Sequence, residues 1–313
     1  MLHYGNYFVL DHGNFGDDLN PWLWPRLAPE VCGQNDPTIF FGIGTILSRS
    51  AAPAPIKVVF GSGCGAGLAP RLDNRWFFYA VRGPLTAAKL GLDSALGIGD
   101  PAVLVRRMVR DTLPKIYPVS FMPHHQSMFL ADWKNLCVRA GLHCIDPHAT
   151  VEQTLAEIQQ SRLVIAEAMH GAIVADALRV PWIPTRVYAN FMEFKWRDWA
   201  ESIRTPLHIA DIPPVFGGKL ISRKSAVHAV KKVLVMSGLG KSKWKRLHAR
   251  PSSERQIEAS LKALEHLSGN QSGWLSPDNV IEEIDARLFD KLSELRRDWR
   301  NGRFKQRGYS ACV

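Results

Sequence analysis

Leu163-Val-Ile-Ala-Glu167-Ala-Met-His170-Gly-Ala-Ile-Val-Ala-Asp-Ala-Leu178 decides how this chain is read. Its first four residues are a short apolar run, the pattern of a strand buried on both faces in a parallel sheet. The run breaks at Glu167–Gly171 and hands over to an alanine-rich helical stretch with His170 in its first turn. In open α/β sheets, ligands sit outside the carboxyl ends of the strands. A helix N-terminus at that place adds unpaired N–H groups and the positive end of the macrodipole, both of which attract anions. The turn therefore offers an imidazole and a carboxylate where chemistry normally happens. A histidine that caps its own helix is the competing reading.

The same rhythm of strand and helix extends in both directions. Strands are expected at Tyr7–Leu10, Thr38–Ile43, Lys57–Gly61 and Phe77–Val81, then at Tyr117–Met122, His143–Ile145, Leu163–Ala166 and Pro181–Pro184. Helices are expected at Pro84–Leu90, Met128–Ala140, Val151–Gln159 and His170–Leu178. Alternation of this kind builds βαβ units and parallel sheets. It predicts an α/β protein of two Rossmann-like domains, residues 1–110 and 111–215, with a hinge near 101–117 and a ligand cleft between them. From 216 to 313 the pattern becomes a basic helical extension. Amphipathic helices are expected over Ala226–Leu234, Glu254–Leu267 and Asp278–Trp299, and a basic, poorly ordered tail from Arg300.

The chain has 313 residues, enough for two domains, and its 22% charged residues suit a soluble globular protein. No window approaches the ~18 uninterrupted apolar residues of a membrane span. The N-terminus lacks the basic and apolar regions of a signal peptide, so a cytoplasmic location is expected. The cysteines are odd in number and contain no Cys-x-x-Cys, which argues against a disulfide framework or a zinc knuckle. No cluster has metal-ligand spacing, and neither a metal nor a cofactor is expected. All of the net charge of +10 lies in the last hundred residues, because residues 1–213 hold nineteen basic and nineteen acidic side chains. Residues 219–250 carry ten basic residues and no acidic one, with Trp244 among Lys243, Lys245 and Arg246. An anionic membrane surface is the expected partner. Nucleic acid is not expected, since stacking aromatics are absent apart from Trp244.

Several strand ends repeat the chemistry of the His170 turn. Asn14-Phe-Gly16-Asp17-Asp18-Leu-Asn20 follows the first expected strand; Gly16 permits a tight turn, and Asp17, Asp18 or Asn20 can cap the next helix. Arg82 ends the fourth strand, before Gly83-Pro84-Leu-Thr86. Aimed into the cleft, its planar fork would hold a carboxylate or phosphate, while a structural ion pair is the alternative. Asp100 in Gly99-Asp100-Pro101 is expected to hold a turn. His124 and His125 follow the fifth strand, and in an extended backbone their side chains diverge, so at most one is expected to reach a site. Gly61-Ser-Gly63-Cys-Gly65-Ala-Gly67 has the wrong spacing for a dinucleotide fingerprint and reads as a turn with close backbone approach.

Asn14-Phe-Gly16-Asp17-Asp18, Val81-Arg82-Gly-Pro-Leu-Thr86, Gly99-Asp100-Pro101-Ala, Met122-Pro123-His124-His125 and Met169-His170-Gly171-Ala, in this order, resemble the polysaccharide pyruvyl transferase family. The likeness covers roughly residues 5–200 and is nearest to the bacterial exopolysaccharide branch that installs pyruvate ketals, as in succinoglycan-type polymers. It implies a GT-B-like fold, phosphoenolpyruvate as donor in the interdomain cleft, and a sugar acceptor that is often lipid-linked. On that reading His170 is the acid/base, and Asp17 or Asp18 orients or deprotonates an acceptor hydroxyl. Arg82, Asn14, His124, His125 and Glu167 would contact substrate. The sequence departs from the family's Arg-Leu-His pattern at Ala168-Met169-His170, so Arg82 or Arg186 is expected to supply the absent cation. Two other readings stay open: a nucleotide-sugar glycosyltransferase of the same architecture, and a non-catalytic scaffold of a polysaccharide assembly complex.

Overall fold

A computed structural model describes residues 3–4, 13–32, 38–48, 56–109, 111–217, 251–269 and 272–304. The expected strand at Tyr7–Leu10, the helix at 226–234, the basic stretch 219–250 with Trp244, and residues 305–313 of the tail lie outside these. Within them the chain forms two parallel sheets flanked by helices. The first sheet holds β1 (His3–Tyr4), β2 (Ile39–Phe41), β3 (Lys57–Phe60) and β4 (Trp76–Ala80) in chain order. The second holds β5 (Ser120–Met122), β6 (His143–Cys144), β7 (Val164–Ala166), β8 (Trp182–Arg186) and β9 (Ala210–Asp211), in the order β6-β5-β7-β8-β9. β2, β3, β5 and β7 are buried throughout; β2 and β7 are unbroken apolar runs, while β3 and β5 each open on one buried polar residue, Lys57 and Ser120. The strand order of the second sheet reverses between β5 and β7. Such a switch point opens a crevice at the strands' carboxyl ends, because the chain departs from it in two directions.

The helices are α1 (Phe15–Leu27), α2 (Pro84–Leu90), α3 (Trp133–Arg139), α4 (Val151–Gln160), α5 (Met169–Ala177), α6 (Glu193–Ser202), α7 (Glu254–Gly269) and α8 (Asp278–Arg300). α1 forms despite Pro21 and Pro25. Phe15, Leu19, Leu23 and Leu27 recur at four-residue spacing, and this buried stripe fixes the helix on the sheet. Trp24 meets Phe40 and Phe60 edge-on, at ring separations of 5.1 and 5.4 Å. α2 and α4 keep the expected positions, whereas Met128–Ala140 divides into a 3₁₀ turn at Ser127–Phe129 and the shorter α3. α6 and β9 complete the second sheet's flank without having been expected.

The segment read as a hinge is instead well packed at its start. Pro101–Arg107 is a 3₁₀ helix capped by Asp100, and Ala102–Val105 are buried against α5 and α8. One apolar core runs through it and joins the two sheets, from Val58 and Phe60 to Val164, Ala166 and Trp182.

The last two helices lie close to their expected ranges and serve different sheets. Leu261 and Leu264 of α7 pack with Phe121 and Ile165 of the second sheet. Residues 274–276 then anchor there: Trp274 bridges Trp182, and buried Asp176 accepts hydrogen bonds from Trp182 Nε1 (2.8 Å) and Ser276 N (2.9 Å). α8 crosses back and lays Val280, Ile281, Ile284, Leu288, Leu292 and Leu295 into the core beside β4 and the 3₁₀ segment. The start of the tail is also fixed. Phe304 is buried and packs edge-on against Phe77 at 5.2 Å. No helix among the described residues is long and apolar enough to cross a membrane.

Candidate functional site

The crevice at the β5/β7 switch point is part of a cavity of about 360 Å³. Two helix N-termini meet on it: Asn14–Asp17 at the start of α1 and Ala168–His170 at the start of α5. The loop after β2 contributes Gly44, Thr45, Ile46 and Ser48, and the turn after β5 contributes His124–Gln126. Tyr188, Asn190, Phe191, Met192, Lys195 and Trp196, after β8, close the far side. Of the residues expected at a site, Asn14, Asp17, His124, His125, Glu167 and His170 line this cavity. Arg82 and Asp18 do not.

His170 sits in the first turn of α5, packed on Gly16. A side chain at Gly16 would overlap Nδ1 of the imidazole. His170 Nε2 lies 3.6 Å from Asp100 Oδ2, and both atoms are buried without a hydrogen-bond partner. Buried polar atoms are normally paired. Two orphans facing one another can satisfy each other after a small rotation, which would fix the ring with Nδ1 beside Gly16. Asp100 also does what the sequence suggests, since its Oδ1 accepts from Ala102 N at 3.0 Å and caps the 3₁₀ segment.

Asp17 accepts a 2.7 Å hydrogen bond from Asn14 Nδ2. Burial raises its carboxyl above the ordinary range, opposed by that hydrogen bond and by the charges of His170 and Lys195. Asp18 faces away and accepts from Asn14 N at 2.9 Å, so it closes the turn rather than the site. The N-cap of α1 by backbone position is Asn14, three residues before Asp17, the first of the expected caps.

The two histidines after β5 do not diverge. The chain leaves the extended conformation and turns at His125–Gln126, which brings both rings to the cavity with centroids 4.4 Å apart. Glu167 is almost fully buried beside them and accepts from His124 N at 2.8 Å. Burial pushes its carboxyl up to about 7, in spite of the hydrogen bonds from His124 and Ser127. Near neutral pH a substantial share of it is uncharged, so it repels a bound anion less than an ordinary carboxylate would.

Arg82 is fully buried behind the cavity wall. Its Nε donates to Asp198 Oδ2 (3.1 Å), Nη1 to Thr45 Oγ1 (2.7 Å) and Nη2 to the Cys64 carbonyl (2.9 Å). Asp198 also accepts from Thr86 N (2.8 Å) and Thr86 Oγ1 (2.6 Å). The cluster ties α2 of the first sheet to α6 of the second, which is the ion-pair alternative and not a cation aimed into the cleft. The glycine loop does provide close approach, since Gly63 leaves room for the Arg82 guanidinium. Arg186 is half-exposed and held bidentately by Asp211 at 2.6 and 2.9 Å, away from the cavity lining. Among the described residues the lysine or arginine that lines the cavity is Lys195, in the first turn of α6. Burial and then the Arg82 charge push its ammonium down to about 8, against the opposite pull of Asp17 and Glu167. No His/Cys/Asp/Glu group among the described residues could hold a metal ion.

Residues 4–187 match the sequence pattern described as polysaccharide pyruvyl transferase. The chain belongs to the polysaccharide pyruvyl transferase family. It is also 45% identical, over 201 residues, to a succinoglycan biosynthesis protein, ExoV, of Rhizobium meliloti (strain 1021). That alignment covers 63% of this chain and 64% of the relative. No solved structure matches.

The pyruvyl transferase match takes in every site residue expected from sequence, whereas Lys195 lies beyond its end. That is why the family motifs do not point to Lys195. Its own signal was available: Glu193-Phe-Lys195-Trp196-Arg-Asp198-Trp199 places Lys195 four residues before Trp199 and three before Asp198, and Trp196, Asp198 and Trp199 are buried. The free oxygen of Asp100 had no local signal, because its neighbour His170 lies seventy positions further along the chain.

Proposed function

We propose that the protein transfers the enolpyruvyl unit of phosphoenolpyruvate to a sugar of an exopolysaccharide repeat unit, forming a pyruvate ketal and releasing phosphate. The observation that carries this reading is the meeting of His170, Asp17 and Lys195 on one cavity between two helix N-termini. Phosphoenolpyruvate is a small dianionic-to-trianionic ester, and a cation with unpaired backbone N–H groups suits its carboxylate and phosphate. His170 protonates the methylene carbon, which makes C2 an oxocarbenium-like centre. One sugar hydroxyl adds to C2, and a second displaces phosphate to close the ketal. Asp17, its carboxyl raised by burial, takes a hydroxyl proton, and the second proton leaves with phosphate or returns His170 to its acid form. Asp100 holds the imidazole in position through Nε2.

The reading includes a GT-B-like pairing of residues 1–110 with 111–215, an extension over 216–313, and a cytoplasmic site of action. It also includes a lipid-linked acceptor, met where residues 219–250 rest on anionic headgroups at the inner face of the membrane. Purified protein given phosphoenolpyruvate and a galactoside or glucoside should release phosphate. The glycoside should gain the mass of pyruvate less water. His170→Ala should lower the rate by about a hundredfold or more, the usual worth of a general acid. Asp100→Asn keeps the cap on Ala102 and should lower kcat while leaving KM for phosphoenolpyruvate unchanged. A His170→Ala protein as fast as wild type would reject the assignment.

A further inference from the structure

The proposed donor is anionic, Ala168 puts no charge beside His170, and the two arginines expected to supply one are committed elsewhere. Arg82 has its guanidinium fork spent on Asp198, Thr45 and Cys64, and Arg186 is clamped by Asp211. Lys195 is different. Its backbone N–H donates to Met192 O at 3.2 Å, but its ammonium makes no hydrogen bond or ion pair among the described residues. An ammonium has three donors and no acceptor function, so one at a cavity without a protein acceptor has all three to offer a ligand. Asp17 and Glu167 are near enough to act on it electrostatically but do not pair with it. Ala168, which has no polar side chain, and His170 line the same cavity. The cavity is therefore bordered by an unpaired cation, an imidazole and the N-terminus of α5.

We infer that Lys195 is the residue that grips an anionic oxygen of the donor, supplying the charge that Ala168 does not. The inference rests on the proposed donor, phosphoenolpyruvate, and deepens that reading. Arg82 then contributes only indirectly, because Asp198 fixes the helix that carries Lys195. Anion contact also explains why this lysine stands unpaired: a carboxylate permanently bonded to it would compete with the donor. A charge-assisted hydrogen bond from Lys195 is worth about 1.5–3 kcal/mol, or roughly ten- to hundredfold in affinity.

Titration calorimetry on the full chain tests this with phosphoenolpyruvate, inorganic phosphate and pyruvate as separate probes. Lys195→Met should weaken phosphoenolpyruvate binding at least tenfold, while Arg197→Ala, an exposed cation on the same helix, should not. A parallel loss for inorganic phosphate assigns the contact to the phosphoryl group, and a parallel loss for pyruvate assigns it to the carboxylate. A second measurement needs no variant. Amine acylation of the wild-type protein, mapped by peptide mass spectrometry, should slow at Lys195 when phosphoenolpyruvate is saturating. Wild-type affinity in Lys195→Met, or acylation of Lys195 unchanged by phosphoenolpyruvate, overturns the inference. Binding that depends on Lys195, with no phosphate released and no pyruvyl gained by any glycoside, would sink the pyruvyl transfer reading and leave this one standing. Phosphate release with an unchanged KM in Lys195→Met would do the reverse, and a wild-type protein that binds none of the three probes would end both.

Discussion

Arg82 and His170 occupy the same place in two sheets. Each follows a parallel strand, β4 or β7, and stands at the entry to the next helix, α2 or α5. From sequence the two turns promise the same thing, a polar side chain aimed from a strand end. Arg82 is sealed, with each of its three nitrogens donating to a protein acceptor. His170 keeps one nitrogen opposite an equally unpaired carboxylate oxygen and lines a cavity. Position in the fold nominates a residue, and whether its polar atoms are already satisfied decides between framework and chemistry.

The largest expected effect tests the sealed side. Arg82→Ala strips Asp198 of its buried partner, and loss of one member of such a pair typically costs about 3–5 kcal/mol. Chemical denaturation should show that loss. A change under about 1 kcal/mol would mean that water reaches Asp198 and that the two turns differ less than their geometry implies.

Gly16→Ala tests the open side. A methyl group there overlaps the imidazole, and displacing a reacting group by about 1 Å can cost roughly a hundredfold in rate. The rate should fall by that order with a small change in stability. Full activity would show that the ring has room the packing does not reveal.

Glu167 sharpens the comparison through pH. Its folded carboxyl sits at about 7, above the ordinary 4.5, so the folded protein holds the proton more tightly than the unfolded chain does. The resulting stability is fully present below about pH 4.5 and is lost as pH rises through 7, on the order of 3 kcal/mol. Denaturation midpoints of the wild type should fall across that window relative to Glu167→Gln, and parallel curves would refute the shift. The smallest effect belongs to Arg186. Its exposed pair with Asp211 is worth about 1 kcal/mol or less, so Arg186→Ala should leave both stability and donor affinity nearly unchanged. A clear loss of donor affinity would return Arg186 to the site.

Much of this was legible in the chain itself. Short apolar runs mark seven of the nine strands among the described residues within a few residues, because a parallel strand buried on both faces cannot hide its composition. The periodic faces of α7 and α8 gave their ranges almost to the residue. What local pattern could not convey was pairing across distance. Asp198 lies 116 positions from Arg82, and nothing near either one shows that they meet. His124 and His125 were misjudged for a different reason, since a turn after β5 replaces the extended backbone on which their divergence depended. Lys195 shows in sequence only through its spacing to Trp199 and Asp198, a weaker signal than the strand-end motifs.

The return of α8 to the first sheet has a consequence for the order in which the protein can be made. β4 and the Pro101–Arg107 segment leave the ribosome long before residues 278–300, yet their apolar surface is covered by those residues. Until the last helix has been synthesised, the early half carries an open greasy face that a chaperone can hold. The cavity at α1 and α5 is backed by the same core, so a chain stopped before α8 should accumulate as an aggregate and not as a weak enzyme.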